Sequence, residues 1–589
     1  MKREQIEEKY KWRLEDIIDG DAEWEKLYME MYKKFGCVAA YKGKLSLASA
    51  LYECLDTQDK WNMGIERLYV YSKMRQDEDG SNTKYQAMCD RAESLMIKAS
   101  AEGAFIMSEL TALPTERLVE LSTMPLLSNY SYFLREIARS KEHILQEAEE
   151  KLLAEARSFS NSFSDIFNML NDVDLDFGEI EHKGEKVRLT QGTYGVIMHG
   201  DDRELRKKAF ERMAETYKKN INTIAATYSG SVKKDVFFAK IRKYKSSLEA
   251  ALDGEDIPPI VYLNLLESIN NSLPALHEYM NVRRKALGLD TLHMYDIYVP
   301  IVAGTDIKIP FEEACKVVKE GLAPLGTQYG ELLDRAFSER WIDVFENEGK
   351  RSGAYSWGAY GAHPYVLLNY HETTHEIFTI AHELGHAMHT YYSSQAQAHA
   401  QADYQIFVAE IASTVNEVLL LKHLLKTTSN PDVKRYLLSY YLDMFRTTVY
   451  RQTMFAEFEK FAHDTVEQGA PLTHEVLSDE YYKLNKKYYG LGIDSDDLIR
   501  YEWAKVPHFY RDFYVYKYAT GMISAVCIAE KIIKEGQPAV DAYKKFLSAG
   551  GSMSPLDTLK LAGIDLVKKD AFDTAFKAFA STLDELKKV

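Results

Sequence analysis

HEIFTIAHELGHAMHTYY, His375 to Tyr392, places apolar side chains at Ile377, Ile380, Leu384, Met388 and Tyr391. Gaps of three and four residues are the period of an α-helix with one face turned to a core. No proline interrupts the chain from Tyr365 to Asn430, and Thr373 and Thr374 offer hydroxyls for the N-terminal end. The spacing predicts a helix whose polar stripe runs through Thr379, His382, His386 and Ser393. His382 to His386 also spell H-E-x-x-H. Positions four apart on a helix lie only about 40° apart around the axis. Both imidazoles can therefore reach one metal ion, with Glu383 beside them at a metal-activated water. Zinc favours such nitrogen donors on a rigid base, with one coordination position left open for chemistry.

Outward from this segment the chain reads as mainly α. Only two of the 14 prolines precede residue 250, and windows such as Glu142–Arg157 and Asp202–Tyr217 show helical apolar spacing with good helix formers. Asp201 is the expected cap of the second window. Alternation is rare. One hairpin is expected over Leu175–Leu189, turning at Lys183-Gly184, and a short strand over Tyr365–Tyr370. With 589 residues, two or more lobes are expected. A net charge of -16 argues against nucleic-acid binding, which needs a basic face. No apolar run is long enough for a membrane helix, and the charged opening MKREQIEEKYKWRLEDI lacks the apolar core of a signal peptide. The five cysteines (37, 54, 89, 315, 527) have no metal-ligand or redox spacing, which suits a cytoplasmic location.

A catalytic zinc site needs a third protein ligand. In Phe407–Lys422 (FVAEIASTVNEVLLLK), Glu410 sits amid Phe407, Val408, Ile411 and Ala412, where an unpaired carboxylate is costly and metal ligation removes the cost. Glu417, seven residues on, projects from nearly the same face. It is either a surface carboxylate near Lys422 or a group orienting a histidine. Attack on a peptide carbonyl also calls for a hydrogen-bond donor to the oxyanion. Tyr501–Tyr518 offers His508 and tyrosines 501, 510, 514, 516 and 518, although tyrosine is abundant here (40 residues) and often packs half-buried.

HELGH, the FVAEIAST segment, KRSGAYSWGAYGAHPYVLLNY (Lys350–Tyr370), PHFYRDFYVYKYATG and the opening KWRLEDIIDGDAEWEKLY together resemble the M3 family of zinc oligopeptidases, closest to oligoendopeptidase F. The likeness runs from about residue 11 to the C-terminus. It implies Glu410 as third ligand to one zinc per chain, and His508 and Tyr518 as hydrogen-bonding partners of substrate and oxyanion. Because distant relatives space their tyrosines differently, Tyr510, Tyr514 and Tyr516 stay in competition. The implied fold is a mainly α, zincin-type, elongated two-lobed helical body with small β elements and a deep channel that admits only short peptides. On this basis residues 1–198 form an N-terminal helical lobe and 199–589 the catalytic domain.

The strand at Tyr365–Tyr370, as an edge beside the metal, would pair with an extended peptide. Gly353, Gly358 and Gly361 would let the preceding loop approach the substrate, with His363 as a further contact. His371, His375 and His389 are expected to be hydrogen-bonded or exposed. The leading expectation is a zinc endopeptidase of short oligopeptides with Glu383 as general base. A carboxypeptidase or dipeptidase on the same scaffold would use Arg351, Arg500 or Arg511 for a terminal carboxylate. A non-catalytic peptide carrier with structural zinc would have no use for Glu383. Oligomeric state is not legible.

Overall fold

The computed structural model describes residues 2–302 and 308–589. Along the chain, α1 (Ala48–Glu78) and α2 (Thr83–Ala112) are long helices without proline. Helix α3 (Glu147–Ser160) begins five residues later than its apolar pattern, after a 3₁₀ turn at Lys141–His143. The expected hairpin forms as β1 (Glu179–His182) and β2 (Glu185–Arg188). Lys183 (φ 51°) and Gly184 (φ 82°) make the left-handed two-residue turn that matches strand twist. Helix α4 (Arg203–Lys219) is capped by Asp202, not Asp201: Asp202 Oδ1 accepts from Leu205 N at 3.2 Å. A three-stranded sheet follows, with β3 (Ile342–Asp343), β4 (Tyr355–Trp357) and β5 (Tyr365–Leu367). Then come α5 (Thr374–Ala396), α6 (Ile406–Thr427) and α7 (Tyr516–Glu535). The fold is mainly α. No described helix is long and apolar enough to cross a membrane.

The chain divides into two compact units, each drawn from three stretches. One comprises Met1–Glu142, Asp306–Leu424 and Ala525–Ile564. Its core gathers Trp12, Trp24, Trp61, Leu68, Met74, Tyr365 and Leu367. The indole N–H groups of Trp24 and Trp61 donate to Leu68 O and Met31 O, each at 2.9 Å, so these rings bury apolar area without an orphaned donor. In the sheet, order β3-β5-β4, β5 runs parallel to β3 and antiparallel to β4, with Ser356 opposite Val366. The strand read from Tyr365–Tyr370 is thus the central one, and all three of its residues are buried. The two edges are β3 and β4, and β4 packs against α5. A fully buried strand shows no alternation, so neither its length nor its place in the sheet is marked in sequence.

The second unit comprises His143–Thr305, Leu425–Ser524 and Asp565–Val589. Its core is rich in aromatic rings: Tyr228, Phe458, Trp503 and Phe509 pack together. A buried pair of cations, Arg283 and Arg446, is held by Asp443 at 2.9 and 2.8 Å. The hairpin β1–β2 and α4 belong to this unit.

Candidate metal centre

Helix α5 buries Ile377, Ile380, Leu384 and Met388, as their spacing requires. Thr373 takes the cap position, but its side chain makes no capping bond. Gly385 lets α6 come close. A Cβ there would lie 2.4 Å from Ser413 Cα and 2.6 Å from Ala412 O, so the two backbones meet at this residue. One turn from it, Asn416 Nδ2 donates to Ala381 O at 3.0 Å, and Tyr329 OH donates to Asn416 Oδ1 at 3.0 Å. Gly385 and Asn416 escaped the sequence reading. Only the crossing of helices separated in sequence reveals their work.

This crossing brings three donors together. His382 Nε2 and His386 Nε2 are 3.3 Å apart, and Glu410 Oε2 lies 3.4 Å from each. Around a tetrahedral zinc with bonds of ~2.0–2.1 Å, ligand atoms sit roughly 3.3–3.4 Å apart. The donor set therefore fits such an ion in both chemistry and spacing. Among the described residues, this is the one group of histidine, cysteine and carboxylate donors close enough to share a metal. Glu410 is half-exposed rather than buried among its apolar neighbours, which face away into the core (side-chain exposure 51%). Glu417 Oε1 lies 2.5 Å from His382 Nδ1, placing it to orient that ring with Nε2 toward the shared point.

Electrostatics matches the geometry. Burial disfavours the charged form of His382, but Glu410 and Glu417 outweigh it and lift its pKa to about 10. Burial raises the Glu410 carboxyl, and His382 and His386 more than reverse it, holding it well below the usual carboxylate range. Glu383 is buried; burial pushes its pKa up against the pull of both histidines, and its Oε2 has no protein partner among the described residues. Two imidazoles and three carboxylates around one point form a site that a divalent cation balances.

His508 and the tyrosines lie in the second unit. His508 is exposed and its ring is parallel to that of Tyr514 (centroids 6.3 Å, 5°) and perpendicular to that of Tyr518 (6.1 Å, 82°). Burial and then Arg511 lower its pKa, favouring the neutral ring. Tyr510 and Tyr516 belong to packing: Tyr510 OH is 2.7 Å from Thr227 Oγ1 with its ring stacked on Phe167, and Tyr516 is buried against Tyr262. Phe513, in the left-handed region (φ 47°), sets the bend before Tyr514, and its N–H donates to Glu459 Oε1 at 2.7 Å.

His363 is also structural. Its Nε2 lies 3.0 Å from Asp16 Oδ2, its Nδ1 2.9 Å from Pro364 O, and its ring stacks on Trp341, leaving no nitrogen for a substrate. Gly361 and Gly353 both take φ 84°, the left-handed turn conformation that favours glycine. Gly358 lies where a Cβ would come within 3.1 Å of Pro364 Cα. His389 is neither hydrogen-bonded nor exposed: fully buried and stacked on Tyr404 at 3.6 Å, it has no partner for either nitrogen among the described residues. Burial, with a smaller push from His386, lowers its pKa to about 3, so it is neutral. Of the arginines considered for a terminal carboxylate, Arg351 pairs with Asp77 and Arg500 with Asp479 and Asp497, whereas Arg511 lies 3.9 Å over the Tyr514 ring.

The sequence profile of Peptidase family M3 matches residues 196–578, and that of Oligopeptidase F matches 109–177. The chain belongs to peptidase family M3. It is 43% identical over 590 residues to oligopeptidase PepF of Bacillus subtilis, covering 100% of this chain and 88% of the relative. It is 39% identical over 587 residues to group B oligopeptidase PepB of Streptococcus agalactiae, covering 99% and 98%. The solved structure of oligoendopeptidase-F from Enterococcus faecium superposes with a TM-score of 0.73 at 34% identity, covering 96% of this chain and 99% of that one. This M3 chain is accordingly a metallo-oligopeptidase, with H-E-x-x-H supplying two donors of its candidate metal centre.

Proposed function

We propose that this M3 peptidase is a zinc-dependent endopeptidase that cleaves internal bonds of short oligopeptides, with one zinc per chain held by His382, His386 and Glu410. The observation that carries this reading is the near-equilateral triangle of donor atoms, 3.3 to 3.4 Å on a side, with Glu383, whose Oε2 has no partner among the described residues, adjoining it in sequence. When bound, zinc supplies Lewis acidity that polarises a peptide carbonyl and acidifies water. Glu383 accepts a proton from the attacking water as the new C–O bond forms and delivers it to the departing amine. Glu417 accepts from His382 Nδ1–H and so keeps the Nε2 lone pair available. His508 and Tyr518 donate hydrogen bonds to the substrate and to the developing oxyanion. Tyr514 lies against both rings and supports the same cluster. The edge strand β4 takes the role first given to Tyr365–Tyr370, pairing with the peptide main chain. All these groups fall within 199–589, the proposed catalytic domain. Five cysteines, none of them in a disulfide among the described residues, support a cytoplasmic setting.

The test uses an internally quenched peptide blocked at both ends. Cleavage that stops with a chelator and returns with zinc supports the endopeptidase, whereas cleavage only of peptides with a free carboxyl terminus supports a carboxypeptidase. Glu383→Gln is expected to retain zinc and lose at least 10³-fold in kcat, in the range of general acid–base catalysis. Loss of hydrolysis of less than tenfold would remove Glu383 from the mechanism.

A further inference from the structure

Within the unit that carries the metal centre, a cavity of about 770 Å³ opens between α1, α2, β4, α5 and the connection from α5 to α6. That volume lies in the range of ligand pockets. Thr390 and Ser394 line it, and they continue the helix stripe of His382 and His386 at four-residue steps. Thr390 therefore begins one turn, ~6 Å along the axis, beyond His386. Ser356 and Trp357 of the edge strand form another wall, and Ser356 Oγ is buried with no hydrogen-bond partner among the described residues. The rings of Tyr69, Trp357, Tyr360 and Tyr404 face the space.

Its charge is one-sided. Glu66 and Asp403 line it, and among the described residues no lysine or arginine does. The single base is His399, held between Asp59 (2.5 Å) and Glu66 (3.0 Å). Even with His399 protonated, Asp59, Glu66 and Asp403 leave two negative charges. Asp403 forms no ion pair with any described residue and is solvent-exposed at the wall; partial desolvation and then repulsion from Glu66 push its carboxyl up, against a smaller pull from His399. Aromatic walls beside a carboxylate without an ion-pair partner suit a cation.

We propose that this cavity is a substrate pocket for a cationic group of the peptide, an ammonium or guanidinium, which Asp403 and Glu66 bind between the aromatic walls. This rests on the peptidase reading above. With an extended chain advancing ~3.3 Å per residue, the group belongs two to three residues from the cleaved bond. It is either a lysine or arginine side chain or the free N-terminus of a short peptide.

The experiment measures kcat/KM of the zinc-loaded enzyme on quenched peptides that carry lysine, norleucine or glutamate at each position within three residues of the cleaved bond. Each is made with a free and an acetylated N-terminus. One register is expected to favour the cationic peptide at least tenfold. Loss of the preference on acetylation assigns it to the terminus, and loss on lysine-to-norleucine exchange assigns it to the side chain. Asp403→Asn is expected to shrink the ratio below threefold, and Asp403→Lys to invert it toward glutamate. Equal rates for all peptides in the parent enzyme, or a ratio that persists in both variants, overturn the pocket. Failure to cleave any peptide overturns the peptidase reading instead.

Discussion

Gly385 couples the packing of two helices to the making of a metal site. The atoms that a side chain would meet there, Ser413 Cα and Ala412 O, are backbone, so they give way only if α5 and α6 part. Parting them withdraws Glu410 and Glu417 from the histidines. Alanine gains about 1 kcal/mol of helix propensity over glycine, but overpacking costs about 1–3 kcal/mol. We expect Gly385→Ala to lower the melting temperature and weaken zinc binding at least tenfold, measured by thermal unfolding and equilibrium dialysis. A lower melting temperature with unchanged zinc affinity would detach the helix crossing from the site. In sequence, a glycine inside a helical pattern reads only as a weak spot, because its partner lies 28 residues on. Glu410 was legible because a carboxylate among apolar neighbours asks for a reason, although the structure shows that those neighbours face the other way.

At the scale of elements, His399 ties the connection between α5 and α6 to α1 through Asp59 and Glu66, one on each ring nitrogen. Burial opposes the charged ring, and the two carboxylates overcome it, raising its pKa to about 10. An unfolded histidine titrates near ~6.5, so the folded value is the higher one. The tie therefore contributes fully below about pH 6.5 and fades as pH rises toward 10. Partial solvent access leaves about 1–3 kcal/mol. Urea unfolding should show His399→Gln less stable than the parent at pH 6, with the gap closing by pH 10. A constant gap would mean that the ring contributes packing alone. The long helices and the hairpin turn were legible because period and turn chemistry are local. Strand order was not, since Tyr365, Val366 and Leu367 take their central place from partners on both sides.

At the scale of the molecule, the two units alternate along the sequence, and two of the five crossings fall inside helices, 424/425 in α6 and 524/525 in α7. No shift in composition marks those crossings, because a helix continues through them. All three metal donors nevertheless belong to the same unit. A ligand that binds only the folded form stabilises it by about 2.7 kcal/mol at a hundredfold excess over its Kd. Because α5 and α6 contribute the donors, that energy resists their separation most directly. Removing zinc should therefore raise amide hydrogen exchange in α5 and α6, while the helices of the second unit, α4 among them, keep their protection. Mass-resolved exchange of the zinc-loaded and chelated enzyme distinguishes the outcomes. Uniform deprotection of both units would mean that the ion supports a single cooperative fold rather than one helix crossing. Unchanged exchange in α5 and α6 would mean that their packing, centred on Gly385 and Asn416, already holds the donors in place without it.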